Sequence, residues 1–301
     1  MVTHPSYRLI VNSKDVTASI SPHLISLGLT DNENDESDEL RLSVSSKFKR
    51  PAYHDQIKVF LGDKQSQRFA GLFYVQKTSI RNNLELTITA TGIDFNAELK
   101  ERRHQRYEGV TLAKLAETIA RRHNLQVKSD LNQTIIDVDQ VDESDLNLLN
   151  RLAKEHGIVF NIKNATLYFV TRALEVPSVT VDIDKCTESE ITRSNTTLYK
   201  ACKAIYQNTR LNKMVTVSVG SGKPVLVKQG HFKNDGEARL FAQNALNRAN
   251  QGTAEGTLTI PGLVVFAGSR LSLDRNLYVI SRVEHAIDNN SWLTSVEFNN
   301  K

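Results

Sequence analysis

Hydrophobic and polar residues alternate through most of this chain, and the alternation gives way to helical spacing at three places. Leu40, Leu42 and Val44 are interleaved with Arg41 and Ser43, and Leu84, Leu86 and Ile88 with Glu85, Thr87 and Thr89. A period of two puts one face of a strand on a core and the other in water. Tyr7 to Val11, Gln56 to Leu61 and Phe69 to Ile80 continue in this manner, with turn residues at Asn12 to Asp15 and at Asn82 and Asn83. Five or six such strands predict a small antiparallel barrel or sandwich over about the first hundred residues.

The first two helical stretches lie mid-chain. Thr111 caps a run in which Leu112, Leu115, Ala116 and Ile119 form one apolar stripe, and Asn124 stands where that helix should end. Asp142 and Ser144 both offer a side-chain oxygen to the first turn of a second helix, with Leu146, Leu149, Leu152 and Ala153 at helical spacing. Gly157 closes it, since a left-handed residue ends a helix cheaply when it is glycine. Ile158 to Ile162 and Leu167 to Val170 then read as a tight hairpin around Lys163, Asn164 and Ala165.

Alternation returns from Ser178, in Val179 and Val181, Ala201 to Gln207, and Met214 to Val219. It is interrupted once. Asn234 and Glu237 form a capping-box pattern before Ala238, Phe241, Ala242, Ala245 and Leu246, a helix of about 234–250 that ends near Gly252. Strand signals resume in Thr257 to Ile260, Ser269 to Leu273, Leu277 to His285 and Trp292 to Phe298. The expected fold is therefore α+β and mainly β: a β-barrel domain at 1–104, an α/β domain at 105–177, and a second β-barrel domain at 178–301 carrying the inserted helix. The two β domains share no letter-by-letter repeat, so any duplication is one of fold.

Composition narrows the class. With 301 residues, 40% hydrophobic and 24% charged, the chain is long enough for two or three cores, and the formal charge of +4 is too small to require nucleic acid or an anionic membrane. Cys186 and Cys202 are too few for a disulfide framework and lack metal-ligand spacing. No leader pattern stands at the start and no window approaches a spanning helix, so a cytoplasmic origin is expected.

Candidate chemistry is sparse. None of the eight histidines sits in a metal-ligand arrangement; His156 suits the last carbonyls of a helix, and His285 follows a strand. Gly220, Ser221, Gly222 and Lys223 imitate a phosphate loop, but Val217 and Pro224 stand where glycine and Ser or Thr are needed, so a hairpin turn is the reading. Asp31, Glu33 and Asp35 have calcium-loop spacing, but Glu36 replaces the turn glycine; a solvated loop is preferred, with an ion site as the minor alternative. Arg102, Arg103, His104 and Arg106 form a basic connector expected to pair with acids at a domain junction, with DNA contact as the minority reading. Catalytic, cofactor-binding and metal-binding residues are expected to be none.

Two long stretches carry a resemblance. QVDESDLNLLNRLAKEHGIVF, preceded by GVTLAKLAETIARRHNL, resembles the central segment of the phage late control gene D family, tail hub proteins of contractile-tailed phages. The final GTLTIPGLVVFAGSRLSLDRNLYVISRVEHAIDNNSWLTSVEF is similar to that family's closing pattern, and FAGLFYV at Phe69 resembles its first-domain strand. The resemblance implies a non-enzymatic baseplate hub: a homotrimer whose subunits each supply two tail-tube-like barrels, making a pseudo-sixfold ring between tail tube and central spike. It further implies assembly in the host cytoplasm, then residence in the virion tail. Implied partners are the tail tube protein, a central spike protein, other baseplate proteins and the tape measure protein, with DNA only as passing cargo and no stable membrane association. Related type VI secretion spike proteins fuse a needle to their hub; this sequence ends at Lys301 without one, so a separate spike partner is expected. The competing readings are a tail-tip cell-wall hydrolase, which needs an acid pair or metal triad, and a late-gene regulator, for which no helix-turn-helix with a basic recognition helix is visible.

Overall fold

The computed structural model describes residues 5–33, 37–93, 99, 101–131, 135–171, 177–193, 198–208, 212–232, 234–250, 254–288 and 291–300. The first segment forms β1 (Pro5–Val11), β2 (Lys14–Asp15), the short helix α1 (Thr17–Ile20), β3 (Leu24–Asn32), β4 (Glu39–Ser45), β5 (Gln56–Asp63), β6 (Ser66–Arg81) and β7 (Glu85–Thr91). The middle forms β8 (Arg102–Thr111), α2 (Leu112–Arg122), β9 (Gln126–Lys128), β10 (Ile135–Ser144), α3 (Asp145–His156), β11 (Val159–Lys163) and β12 (Thr166–Val170). The last forms β13 (Ser178–Val181), β14 (Glu188–Arg193), β15 (Ala201–Asn208), β16 (Lys213–Gly220), β17 (Val225–Gln229), α4 (Asp235–Ala249), β18 (Ala254–Pro261), β19 (Arg270–Leu273), β20 (Asn276–Asp288) and β21 (Trp292–Asn299).

The chain is mainly β, as expected, but its outer segments are not separate closed barrels in their hydrogen bonding. They share one thirteen-stranded sheet, ordered β14, β18, β21, β20, β3, β4, β7, β6, β5, β1, β2, with β19 on β20 and β13 on β19. Among the described residues no ladder closes either half on itself. The join is β3 against β20, antiparallel from Arg282 opposite Asn32 to Asp288 opposite Ser26. β20 is long enough to serve both halves: its first residues pair with β19, and after a bulge between Ile280 and Arg282 the rest pair with β3. Its inward side chains follow suit, Tyr278, Ile280 and Val283 entering the core of the last segment and Ile287 that of the first.

The α/β unit has its own core, where Leu112, Leu115, Ala116 and Ile119 of α2 meet Leu148, Leu149 and Leu152 of α3 over Phe160, Leu167 and Phe169. Thr111 caps α2 by accepting from the Lys114 amide at 3.1 Å, and Ser144 caps α3 from Asn147 at 3.2 Å. Asp142 is not a cap. It lies in a bulge of β10 with φ +49° and pairs with Arg102 instead. The fully buried stripe of α3 uses Leu148 in place of Leu146, which packs only partly. The β11–β12 hairpin turns through Asn164 and Ala165, both at positive φ, the geometry of a two-residue hairpin loop.

Three further expectations are corrected. The Arg102 to Arg106 connector is the start of β8, which pairs with β10 as a two-stranded ribbon; side chains exposed on both sides of such a ribbon leave no alternation to read. The Gly220 to Lys223 stretch is not a hairpin turn, because β16 and β17 flank β15 instead of pairing with each other. Gly220 passes so close to the start of β15 that an added Cβ would lie 2.3 Å from the Lys200 carbonyl. The inserted helix α4 does not merely interrupt strands of the large sheet: Ala238, Ala242, Ala245 and Leu246 pack on Ala204, Tyr206 and Val217 of the separate β15–β17 sheet, a small core of its own. It is capped by Asn234 and ends at Ala249, short of Gly252, which lies outside the described residues.

Gly157 ends α3 at φ +66°, and a Cβ there would meet the Asn244 amide of α4 at 2.7 Å. Gly157→Ala should therefore destabilise the fold by about 1–2 kcal/mol. The check is a urea unfolding curve, with a lowered midpoint at unchanged slope.

Candidate assembly junction

Asp31 continues the inward series Leu27, Leu29 of β3, so the alternation that builds the core also buries a carboxylate. Lys163, at the end of β11 in the α/β unit, answers it: its ammonium contacts Asp31 Oδ1 directly and lies 3.5 Å from Asp38. Asp31 Oδ2 accepts from the Ala267 amide at 2.8 Å, and Asp38 Oδ1 from the Asn32 amide at 3.0 Å. Asn161, on the same strand as Lys163, donates to the carbonyls of Asn32 at 3.3 Å and Glu33 at 2.8 Å, while the Glu33 amide donates to Ser281. At the hairpin tip, Asn164 accepts from the Leu72 amide of β6 at 2.8 Å. Four stretches far apart in sequence, around residues 31–38, 72, 161–164 and 267–281, thus meet here.

This overturns the solvated-loop reading for Asp31; Asp35 and Glu36 lie outside the described residues. The place a cation would take between the two carboxylates is filled by Lys163. Burial drives the Asp38 carboxyl up to about 7, against the pull of Lys163 and with the push of Asp31. Burial alone would lower the Lys163 ammonium, but the two carboxylates outweigh it and hold the group above its ordinary value.

A second knot lies inside the α/β unit. Asp145, the first residue of α3, is fully buried and accepts from Arg122 Nη1 at 2.8 and 2.9 Å, His123 Nε2 at 2.8 Å and Gln140 Nε2 at 2.9 Å. Burial pushes its carboxyl up, but those hydrogen bonds together bring it below the usual carboxylate range. A carboxylate so saturated and so dry is a poor general base. The basic residues of β8 are likewise engaged: Arg102 with Asp142 at 2.7 Å, Arg103 with Glu101 at 2.7 Å, and Arg106 with Glu108 at 2.6 Å. The expectation that this cluster pairs with acids agrees with the geometry. Arg122, His123 and Gln140 were not singled out in the sequence; the available signal was a basic pair ending one helix of the unit and an acid starting the next.

The two histidines resolve differently. Burial pushes His156 towards its neutral form, so it does not act as a cation on the α3 carbonyls; Asn244 of α4 donates to the Glu155 carbonyl instead, at 3.3 Å. His285 is fully buried where the two halves of the sheet meet, and burial lowers it to about 4. Its Nε2 lies 3.3 Å from the Val265 carbonyl, which requires a proton on Nε2, and its Nδ1 accepts from Trp292 Nε1 at 3.4 Å. Cys186 and Cys202 are free thiols that burial holds protonated.

What the large sheet leaves open is its ends. β14 terminates one end with Glu188, Ser189 and Glu190 exposed, β1 with the two-residue β2 terminates the other, and β13 ends the side branch through β19. Exposed apolar side chains cluster at loop tips and minor edges, including Leu84 after the β6 turn, Leu277 at the start of β20, and Met214 and Val227 on β16 and β17.

No protein-family profile matches the chain. It is 33% identical over 174 residues to a probable baseplate hub protein of Escherichia phage 186, covering 55% of this chain and 45% of that protein. It is 31% identical over 199 residues to the probable baseplate hub protein of Escherichia phage P2, covering 64% and 51%. The matches thus span about half the length of these curated relatives. Among solved structures, a 43 kDa tail protein of prophage MuSo2 from Shewanella oneidensis aligns over 98% of both chains with TM-score 0.75 at 15% identity. A tail protein from Neisseria meningitidis MC58 aligns over 99% of this chain and 97% of its own with TM-score 0.73 at 11% identity. An E. coli component of the type VI secretion system aligns over 92% and 73% with TM-score 0.60 at 12% identity. The chain therefore resembles phage baseplate hub proteins in sequence and has a phage tail-protein fold.

Lys163→Met leaves two carboxylates facing each other without a counter-ion, and should cost about 3 kcal/mol, the low end for a broken buried pair because Lys163 keeps 22% exposure. Urea unfolding at pH 8 measures it. Asp38 gives a pH signature of defined sign. Its folded carboxyl keeps a proton up to about pH 7, whereas an unfolded aspartate loses it near about 3.9. The folded chain binds the extra proton in that window, so this contribution is complete below about pH 4 and is lost as pH rises through 7. Asp38→Asn should gain on the native chain from pH 4 to 7 and then level off, read as the difference in unfolding midpoints across that range.

Proposed function

We propose that this chain is a non-enzymatic baseplate hub subunit of a contractile tail or related injection machine. Three copies form a ring that joins the sixfold tail tube to a threefold central spike. The observation that supports this most directly is the β3–β20 ladder. It joins a strand of the first segment to a strand of the last, antiparallel within one chain; on this reading the two are β units of 1–104 and 178–301, and three chains present six such units with pseudo-sixfold symmetry. Each unit is the barrel-like element of the ring, and the α/β domain of 105–177 braces the pair from one side.

The edges suit such a ring. A sheet that begins at β14 and ends at β1 and β2 exposes different strands at its two ends, and a contact between unlike ends generates a ring when the rotation closes. The partners that follow are the tail tube protein, the central spike, other baseplate proteins and the tape measure protein, with DNA as passing cargo. Assembly takes place in the host cytoplasm and the product resides in the virion tail. The hydrolase alternative finds no support in Asp145, whose lone pairs are committed to internal donors.

Light scattering on the purified protein, followed by negative-stain imaging, tests the reading. The expected result is a ring with a central channel at three times the 33.8 kDa chain mass, alone or with a spike protein. A monomer that never forms trimers under either condition would overturn it.

A further inference from the structure

The positive charge of this chain is gathered in one place. Residues 194–234 hold seven lysines and arginines and no aspartate or glutamate, so this stretch contributes +7 while the rest of the chain carries −3, against the total of +4. Like charges on one small unit repel one another, so such segregation speaks of a partner more than of the fold. The stretch builds the separate sheet in which β15 lies between β16 and β17. Lys200, Lys203, Lys213, Lys223 and Lys228 are all exposed, and among the described residues none of them makes an ion pair.

One face of this sheet is covered and the other is not. Cross-strand partners share a face, and Cys202, Ala204 and Tyr206 lie under α4 together with their β16 partners Val219, Val217 and Val215. The alternate residues form the opposite face. Lys203 stands at its centre, between Ser218 of β16 and Val227 of β17, and Ile205 follows between Thr216 and Gln229. Val227 is 54% exposed, and Met214, at the corner beside Gln207, is 59% exposed. Lys200 and Lys223 flank one end of the sheet and Lys213 the other, with Lys228 along the β17 edge. The open face therefore sets apolar side chains among ammonium groups, on a sheet held from behind by a helix.

We propose that the open face of β15–β17 is the docking surface for an acidic segment of a partner protein. Carboxylates of that segment meet Lys203 and the lysines at the margins, and its apolar side chains cover Val227 and Met214. Charge complementarity sets the sign of the partner. The apolar positions set its class, because a phosphodiester backbone gains nothing from covering an exposed valine and methionine, whereas a protein segment does. Among the described residues the face also offers no aromatic ring on which a base could stack, since Tyr206 is buried under α4 with its hydroxyl on Asp235. The surface belongs to a sheet separate from the one whose ends would build the ring, so docking does not depend on trimerisation.

Fluorescence anisotropy with the full chain and labelled probes tests the proposal. The probes are an alternating Glu and Val octapeptide, its Lys and Val and its Glu and Ser counterparts, and a short DNA duplex. The Glu and Val peptide is expected to bind at least about tenfold more tightly than the Lys and Val peptide, a few-fold more tightly than the Glu and Ser peptide, and more tightly than the duplex. Added salt should weaken it. Lys203→Glu should cost about tenfold or more in affinity for the Glu and Val peptide. Lys64→Glu, at an exposed position of the first segment, changes the net charge equally and should leave that affinity unchanged. Both variants should keep the urea midpoint; if Lys203→Glu lowers it, Lys203→Gln gives the same reading with a smaller loss. No binding of the Glu and Val peptide, equal affinity for it and either counterpart, tighter binding of the duplex, or equal effects of the substitutions at Lys203 and Lys64 would each overturn the proposal.

Discussion

The ladder between β3 and β20 is the constraint on which the rest of the structure depends. β3 has a neighbour on each side, β4 within its own half and β20 from nearly the other end of the chain. Its register is fixed by what it buries. Leu27, Leu29 and Asp31 point into the core, and a slip of one residue would turn all three outward and carry Asp31 away from Lys163 and the Ala267 amide. Backbone pairing alone would tolerate such a slip; the buried carboxylate with partners in two other segments does not.

The same ladder explains how the cores relate. The first and last segments keep distinct apolar clusters, yet β20 contributes to both, and the fully buried His285 sits between them against Trp292. The α/β unit behaves otherwise. It has a complete core of its own and reaches the sheet through polar groups of its hairpin, namely Asn161, Lys163 and Asn164. A unit attached in this way is oriented by directional bonds to main-chain atoms, and its position is set by geometry more than by the area it buries.

Much of this organisation was legible in the sequence. The alternation in β4 and β7, the caps at Thr111, Ser144 and Asn234, the glycine ending α3 and the hairpin at Asn164 are local signals, and each appears where the pattern put it except at Leu84, which precedes β7 and is exposed. β3 went unread although Leu27 and Leu29 alternate with Ser26, Gly28 and Thr30; the loop reading began at Asp31, which is in fact near the end of this strand. β14 has little alternation to show, being exposed along almost its whole length. The pairing of β3 with β20, the placing of β16 and β17 on either side of β15, and the salt bridge between residues 31 and 163 were out of reach for a different reason. Periodicity states which face of an element is wet, and says nothing about which distant element covers the dry one.

Lys163 shows what that difference means for reading function. In the sequence it is a hairpin residue beside Asn164, and Asp31 and Asp38 are two acids in a polar run; each local environment predicts solvent. Folding brings them into one buried cluster whose net charge would be unfavourable without the proton that Asp38 retains up to about pH 7. The counter-ion of this cluster is supplied by the chain itself. Acidic residues that the fold neutralises from within, as Lys163 does for Asp31 and Asp38, hold the architecture together.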